Sequence, residues 1–122
     1  MGDKKILLVD DAETILMMER MILGKSYVLV TAKDGEKALA AAATEKPDLI
    51  ILDIVMPNMD GFEVCRRIRS DESTKSIPVI MVTTKGDSGN VEKGFQSGCN
   101  DYVFKPINSS ELLSKVRKHL GE

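Results

Sequence analysis

Pro47-Asp48-Leu49-Ile50-Ile51-Leu52-Asp53 is the stretch on which the fold turns. Four consecutive large aliphatic residues leave no polar face. A strand built from them must be covered on both sides, as strands are in a parallel sheet sandwiched between helices. This segment is read as the central strand. Working outward, the same grammar recurs: Ile6 to Val9 runs into Asp10 and Asp11, Val79 to Val82 into Thr83 after Pro78, and Tyr102 to Phe104 into Lys105. A fifth, β-rich run, Tyr27 to Ala32, ends at Thr31, Ala32 and Lys33 with no catalytic group, which suits an edge position.

Helical patterns separate these runs. Ala12 to Leu23 carries Ile15, Met18 and Ile22 at helical spacing, with Glu13, Glu19 and Arg20 off that stripe, and Gly24 stops it. Met17, Met18 and Met21 read as core or partner-facing residues. Asp34-Gly35 caps a helix through Ala38, Leu39 and Ala42. After the turn-rich Met56-Pro57-Asn58-Met59-Asp60-Gly61, residues Phe62, Cys65 and Ile68 line a helix ending near Ser70. Lys85 to Asn90 is rich in turn formers, so a short, marginal helix over Val91 to Gln96, weakened by Gly94, is expected with a mobile entry loop. Asn108-Ser109-Ser110-Glu111 resembles a capping box, opening a last helix with Leu112, Val116 and Leu120 inward and Lys115, Arg117 and Lys118 outward. Strict alternation with right-handed crossovers predicts a doubly wound α/β three-layer sandwich around a five-stranded parallel sheet, order 2-1-3-4-5.

A chain of 122 residues fits one domain over 1–122, with no effector domain expected. A net charge of -2 gives no long-range pull toward nucleic acid or anionic lipid, so neither is expected as a partner. The N-terminus offers only four apolar residues before two aspartates, too short for a signal peptide or membrane span, and Ile6 rules out a myristoylation signal. A cytoplasmic location is expected. Cys65 and Cys99 lack CxxC spacing and have one histidine, His119, to accompany them; they read as reduced, partly buried thiols, not zinc ligands.

In such a sheet the carboxyl ends of the strands share one edge, which brings Asp10, Asp11, Asp53, Thr83 and Lys105 to one crevice. Two carboxylates about 4 Å apart repel by roughly 4 kcal/mol at an effective dielectric near 20, and a phosphate would add to that. The cluster therefore calls for a divalent cation, and all-oxygen ligands with an incomplete protein shell favour Mg2+. Asp53 can then act as nucleophile on a phosphoryl donor, with Lys105 and the Thr83 hydroxyl on the phosphoryl oxygens. Water directed at the acyl phosphate makes the modification self-limiting, so a phosphoacceptor and not a multiple-turnover enzyme is expected. Taken singly, Asp11 reads equally as a helix cap, Asp53 as a strand-end carboxylate and Lys105 as a solvated loop lysine; their conjunction decides.

Ile6-Leu7-Leu8-Val9-Asp10-Asp11, Asp34-Gly35, Pro47 to Asp53, Met56 to Gly61, Pro78-Val79-Ile80 and Asp101-Tyr102-Val103-Phe104-Lys105-Pro106 form an ordered set spanning nearly the whole chain. In this set the chain resembles a bacterial response-regulator receiver domain, of the single-domain type typified by the chemotaxis regulator. The resemblance implies the flavodoxin-like sandwich. It also implies Asp53 as phosphoacceptor and Mg2+ held by Asp10, Asp11, Asp53 and the Val55 carbonyl. Thr83 and Lys105 would engage the phosphoryl group, Tyr102 would act as a switch aromatic coupled to Thr83, and the bond before Pro106 would be cis. Implied partners are a sensor histidine kinase or histidine phosphotransfer protein, and a protein target on the face of the fourth helix, fifth strand and fifth helix. Thr84 departs from the small residue usual after the threonine and narrows access to the phosphoryl group.

Other classes fit less well. A haloacid-dehalogenase-type phosphatase needs a second acid two residues after its nucleophile, and Asp53-Ile54-Val55 lacks it. A flavodoxin-like electron carrier would meet Asp10 and Asp11 where its flavin phosphate belongs. A constitutive scaffold with the same fold remains consistent with the sequence.

Overall fold

The computed structural model describes residues 3–84 and 88–122. Elements alternate without exception: β1 (Lys5–Val9), α1 (Glu13–Leu23), β2 (Val28–Ala32), α2 (Gly35–Glu45), β3 (Leu49–Asp53), α3 (Gly61–Ser70), β4 (Val79–Thr84), α4 (Ser88–Ser97), β5 (Asp101–Lys105) and α5 (Ser109–Leu120). All four strand pairings are parallel and the order is β2-β1-β3-β4-β5. The aliphatic run that starts the sequence argument is the central strand, with all five residues buried.

Side-chain alternation on each strand divides the interior into two cores. Leu7, Val9, Ile50, Leu52, Val79 and Met81 face α2 and α3, meeting Ala38, Ala42, Phe62, Val64, Cys65 and Ile68. Ile6, Leu8, Leu49, Ile51, Ile80 and Val82 face the other way, onto Leu16 and Leu23 of α1 and Leu112 and Val116 of α5. Continuous hydrophobicity in β3 thus conceals a period of two that serves both layers. Each fully buried Leu or Ile contributes about 1.5–3 kcal/mol, so the sheet is held from both faces.

At the amino-terminal edge, polar groups pair off closely. The Lys5 N–H donates to Asp48 Oδ2 at 2.8 Å, and the Asp48 N–H returns to the Lys5 carbonyl at 2.7 Å. Arg69, at the end of α3, donates to the carbonyls of Gly98 (2.8 Å), Ile77 (2.7 Å) and Lys75 (3.2 Å) and to Asn100 Oδ1 (2.7 Å). Asn100 Oδ1 also accepts from the Val79 N–H at 2.8 Å, so one guanidinium ties α3 to the start of β4 and the entry to β5.

Three expectations need correction. The inner face of α1 is Leu16, Glu19 and Leu23, not the stripe through Ile15, Met18 and Ile22; Met18 is 41% exposed and Glu19 only 1%. Apolar residues lie nearly all round this helix, so its phase is set by which positions the sheet covers. The fourth helix begins at Ser88, three residues before Val91, and carries Gly89 and Asn90 within it. Its Gly94 is a packing residue: a Cβ there would lie 3.0 Å from Met81 Sδ and 3.2 Å from Cys99 Sγ. Of the expected entry loop, Lys85 to Asp87 lie outside the described residues. Finally, Lys115 is not outward but half-buried, with its Nζ 4.6 Å from the Tyr102 ring centroid. Among the described residues, no helix is long and apolar enough to cross a membrane.

Candidate functional site

Register alone brings the chemistry together. Val9 pairs with Leu52, Asp53 with Val82 and Thr84 with Lys105, so the residues that end β1, β3, β4 and β5 meet at one edge. They line a cleft of about 360 Å3 that contains Asp10, Asp11, Asp53, Thr83 and Lys105, with Val55 and Thr84 at its mouth. All five residues assigned to the crevice from sequence are there.

Carboxylate oxygens of Asp10, Asp11 and Asp53 lie within 4.8 Å of one another. Asp10 and Asp53 are buried, at 1% and 3% exposure, and Asp11 is exposed. Asp11 is not the helix cap, because Ala12 holds that position and its N–H donates to Asp10 Oδ1 at 2.9 Å. Lys105 Nζ lies 3.1 Å from Asp53 Oδ1 and 3.9 Å from Asp10 Oδ2. Among the described residues, the Lys105 ammonium serves this group of three acids.

Electrostatics show that the balance is incomplete. Burial pushes the Asp10 carboxyl up to about 6; the Ala12 N–H opposes the rise and Asp53 adds to it. Asp53 is also raised, chiefly by burial, with the Lys105 ammonium pulling it back. Asp10 Oδ2 is buried without a hydrogen-bond partner among the described residues. An orphaned carboxylate oxygen facing two further acids in an open cleft suits a hard divalent cation, so this donor set fits Mg2+.

The backbone after β3 fixes the strand end that carries Asp53. Asn58 adopts a left-handed conformation, φ 73°, and the chain folds back so that the Gly61 N–H donates to the Ile54 carbonyl at 2.7 Å. A Cβ at Gly61 would fall 2.4 Å from the Asp53 carbonyl oxygen, a backbone contact that cannot yield. Glycine here lets α3 start directly against the strand end that carries Asp53, and Asp60 caps that start by accepting from the Glu63 N–H at 2.9 Å.

Two residues near the site were not singled out from sequence. Asn90 lines the cleft, and its Nδ2 donates to Thr83 Oγ1 at 3.3 Å. Sitting in a Ser-Gly-Asn run, it reads as loop; only an earlier start for α4 puts it beside Thr83. Glu19 is buried under α1 with Oε1 unpartnered, and burial, with Asp10 and Asp53 adding and Lys105 opposing, raises its carboxyl to about 8. Its signal was present: Leu16, Glu19 and Leu23 are at i, i+3 and i+7.

Away from the cleft, Tyr102 lies edge-on to Phe95 (centroids 5.8 Å) and Phe104 (5.2 Å). Lys115 donates to the Tyr102 carbonyl and lies 3.4 Å from Asp101, which also meets His119 Nε2 at 2.9 Å. This single histidine is thus engaged with a carboxylate, while Cys65 and Cys99 are free buried thiols. The Lys105–Pro106 bond is cis.

Several known proteins are similar to this chain in sequence or shape. The response regulator PleD of Caulobacter vibrioides is 42% identical over 114 residues, covering 93% of this chain and 25% of PleD. The chemotaxis response regulator CheY4 of Vibrio cholerae superposes with a TM-score of 0.90 at 34% identity, covering 97% of this chain and 99% of that one. The receiver domain of the sensor histidine kinase PA1611 of Pseudomonas aeruginosa matches at TM-score 0.91 and 30% identity, covering 99% of this chain and 100% of that one; its structure has a magnesium ion coordinated in the active-site cleft. The chain spans between a quarter and about half the length of the first curated relatives it matches. Since the sequence model for the response regulator receiver domain matches residues 6–117, nearly everything from β1 into α5, the chain belongs to that family, the receiver domains of two-component response regulators.

Proposed function

We propose that this receiver domain is a phosphorylation-dependent switch whose acceptor is Asp53. The observation that carries the reading is the placement of one nucleophilic carboxylate 3.1 Å from an ammonium, in a cleft with two further acids and a buried hydroxyl. A sensor histidine kinase, or a histidine phosphotransfer protein, supplies the phosphoryl group from a phosphohistidine. An Asp53 carboxylate oxygen forms the new P–O bond as the P–N bond breaks, and the bond electrons leave with the imidazole nitrogen, which takes a proton from solvent. Lys105 and the Thr83 hydroxyl contact the oxygens of the transferred group.

Asp10, Asp11, Asp53 and the Val55 carbonyl would hold Mg2+, which would supply positive charge to offset the carboxylates and the incoming phosphoryl group. Water later cleaves the acyl phosphate, so the domain acts once per transfer and resets. The phosphoryl oxygens draw Thr83 toward them and Tyr102 inward, biasing a two-state equilibrium of the α4–β5–α5 face, where a protein target binds. Phe95, 46% exposed and edge-on to Tyr102, gives that face an apolar anchor. The setting is the cytoplasm, where such kinases present their phosphohistidines.

The test is intact mass after incubation with acetyl phosphate and Mg2+. The expected result is one added phosphoryl group, absent with EDTA and absent in Asp53→Asn. A wild-type chain that binds Mg2+ but gains no mass, from acetyl phosphate or from a phosphorylated histidine donor, would sink the reading in favour of a constitutive scaffold.

A further inference from the structure

We propose that Asn90 is a positioning residue for phosphoryl capture, acting through the Thr83 hydroxyl. The inference rests on the reading of Asp53 as acceptor and assigns a role to a residue outside the acid cluster.

Thr83 is 3% exposed, so its hydroxyl has little access to water. Its hydrogen-bond partner among the described residues is the Asn90 side-chain amide, 3.3 Å away, and that amide donates. A hydroxyl has one proton and two acceptor lone pairs. An N–H donor occupies a lone pair and leaves the proton unspent. That proton then has the cleft to point into, where Asp53 and Lys105 define the phosphoryl position. A hydroxyl that accepts one hydrogen bond is polarised to donate another more strongly. Asn90 thus orients and strengthens the bond from Thr83 to an incoming phosphoryl oxygen.

The placement of Asn90 adds a consequence. It is the third residue of α4, so the bond that orients Thr83 also ties the position of that hydroxyl to the first turn of a helix on the output face. When Thr83 shifts toward phosphate, the amide must follow or let go. Either response is felt directly in α4, along a route independent of Tyr102.

A double-mutant cycle on the full chain tests this. Phosphorylation by acetyl phosphate with Mg2+ is timed by intact mass in wild type, Asn90→Ala, Thr83→Ala and the double variant, with amide exchange over α4 measured beside it. Asn90→Ala is expected to slow phosphoryl uptake about fivefold, the scale of one neutral hydrogen bond. It should have no further effect once Thr83 is Ala. Asn90→Asp, which can only accept, should take the Thr83 proton and slow uptake more than Ala does. Asn90→Gln, which keeps a donor amide, should recover part of the rate. On phosphorylation, exchange in α4 should change less in Asn90→Ala than in wild type. Equal slowing by Asn90→Ala in both Thr83 backgrounds, or none in either, would overturn the positioning role while leaving Asp53 as acceptor intact. A wild type that takes up no phosphoryl group would remove the underlying reading and this one with it.

Discussion

The two ends of the parallel sheet treat polar groups in opposite ways. At the amino-terminal edge, Asp48 accepts from the start of β1, and Arg69 spends its guanidinium on four acceptors around the start of β4. Toward the carboxyl-terminal edge, Asp10 and Glu19 each keep a buried oxygen without a hydrogen-bond partner among the described residues, and three carboxylates crowd within 4.8 Å beside Lys105. Hydrogen bonds that satisfy buried groups stabilise, whereas orphaned charges cost free energy. The amino edge ties elements of the fold together, and the carboxyl edge, among the described residues, gathers more acid than base, which suits a bound cation.

The comparison can be broken most directly at Arg69. Arg69→Ala takes its donors from the carbonyls of Gly98, Ile77 and Lys75 and one of two donors from Asn100 Oδ1, and should lower unfolding free energy by about 3 kcal/mol in denaturant titrations. Mg2+ affinity should be unchanged, because no cleft residue depends on Arg69. If stability barely moves, the clamp is ornamental and the contrast between the edges fails.

At the opposite edge, Glu19→Leu should do the reverse. The folded Glu19 carboxyl holds its proton to about pH 8, while the ordinary value is 4.5. In that window the native state binds more protons than the unfolded one, so stability falls as pH rises from about 5 to 8, and the penalty is complete above it. Replacing Glu19 with Leu should raise stability at pH 8.5 by about 2 kcal/mol in EDTA and flatten that part of the profile. A wild-type profile flat across this window would contradict the assignment of Glu19 as a buried acid.

Mg2+ sharpens the same contrast from the ligand side. At ten times its dissociation constant it should stabilise the wild-type chain by about 1.4 kcal/mol in thermal or chemical melts, and Asp11→Ala should lose most of that gain. The smallest effect belongs to Asp48→Ala. Losing one partly exposed hydrogen bond at the amino edge should cost about 1 kcal/mol, with no change in the response to Mg2+.

Much of this organisation is legible in the sequence because the apolar runs end on the polar residues that line the cleft. Leu49 to Asp53 announces both its burial and its reactive end, and once one parallel sheet is inferred, Asp10, Asp11, Thr83 and Lys105 can only gather at its carboxyl edge. Helix phase is harder to read. In α1 the methionines make nearly every face apolar, and a glutamate in a core slot breaks the stripe that would have marked it. Asn90 hides for a different reason: Gly89 and Asn90 favour turns locally, and packing of α4 against β4 and β5 overrides that preference. Lys115 has an ordinary surface residue's sequence, and only the arrangement of Tyr102 and Asp101 draws it inward. Arg69 has no sequence signal at all, since its four acceptors are contributed by segments that meet only in three dimensions.

Drawing the site from the ends of four different strands has a further consequence for what a phosphorylated molecule reports. In an extended chain Asp53 is an ordinary aspartate, without the ammonium, the hydroxyl or the companion acids that surround it in the cleft. They reach it only after β1, β3, β4 and β5 have paired in register. Phosphorylation at Asp53, as proposed, would therefore certify folding as well as carry a signal: a misfolded copy would lack the site and stay silent.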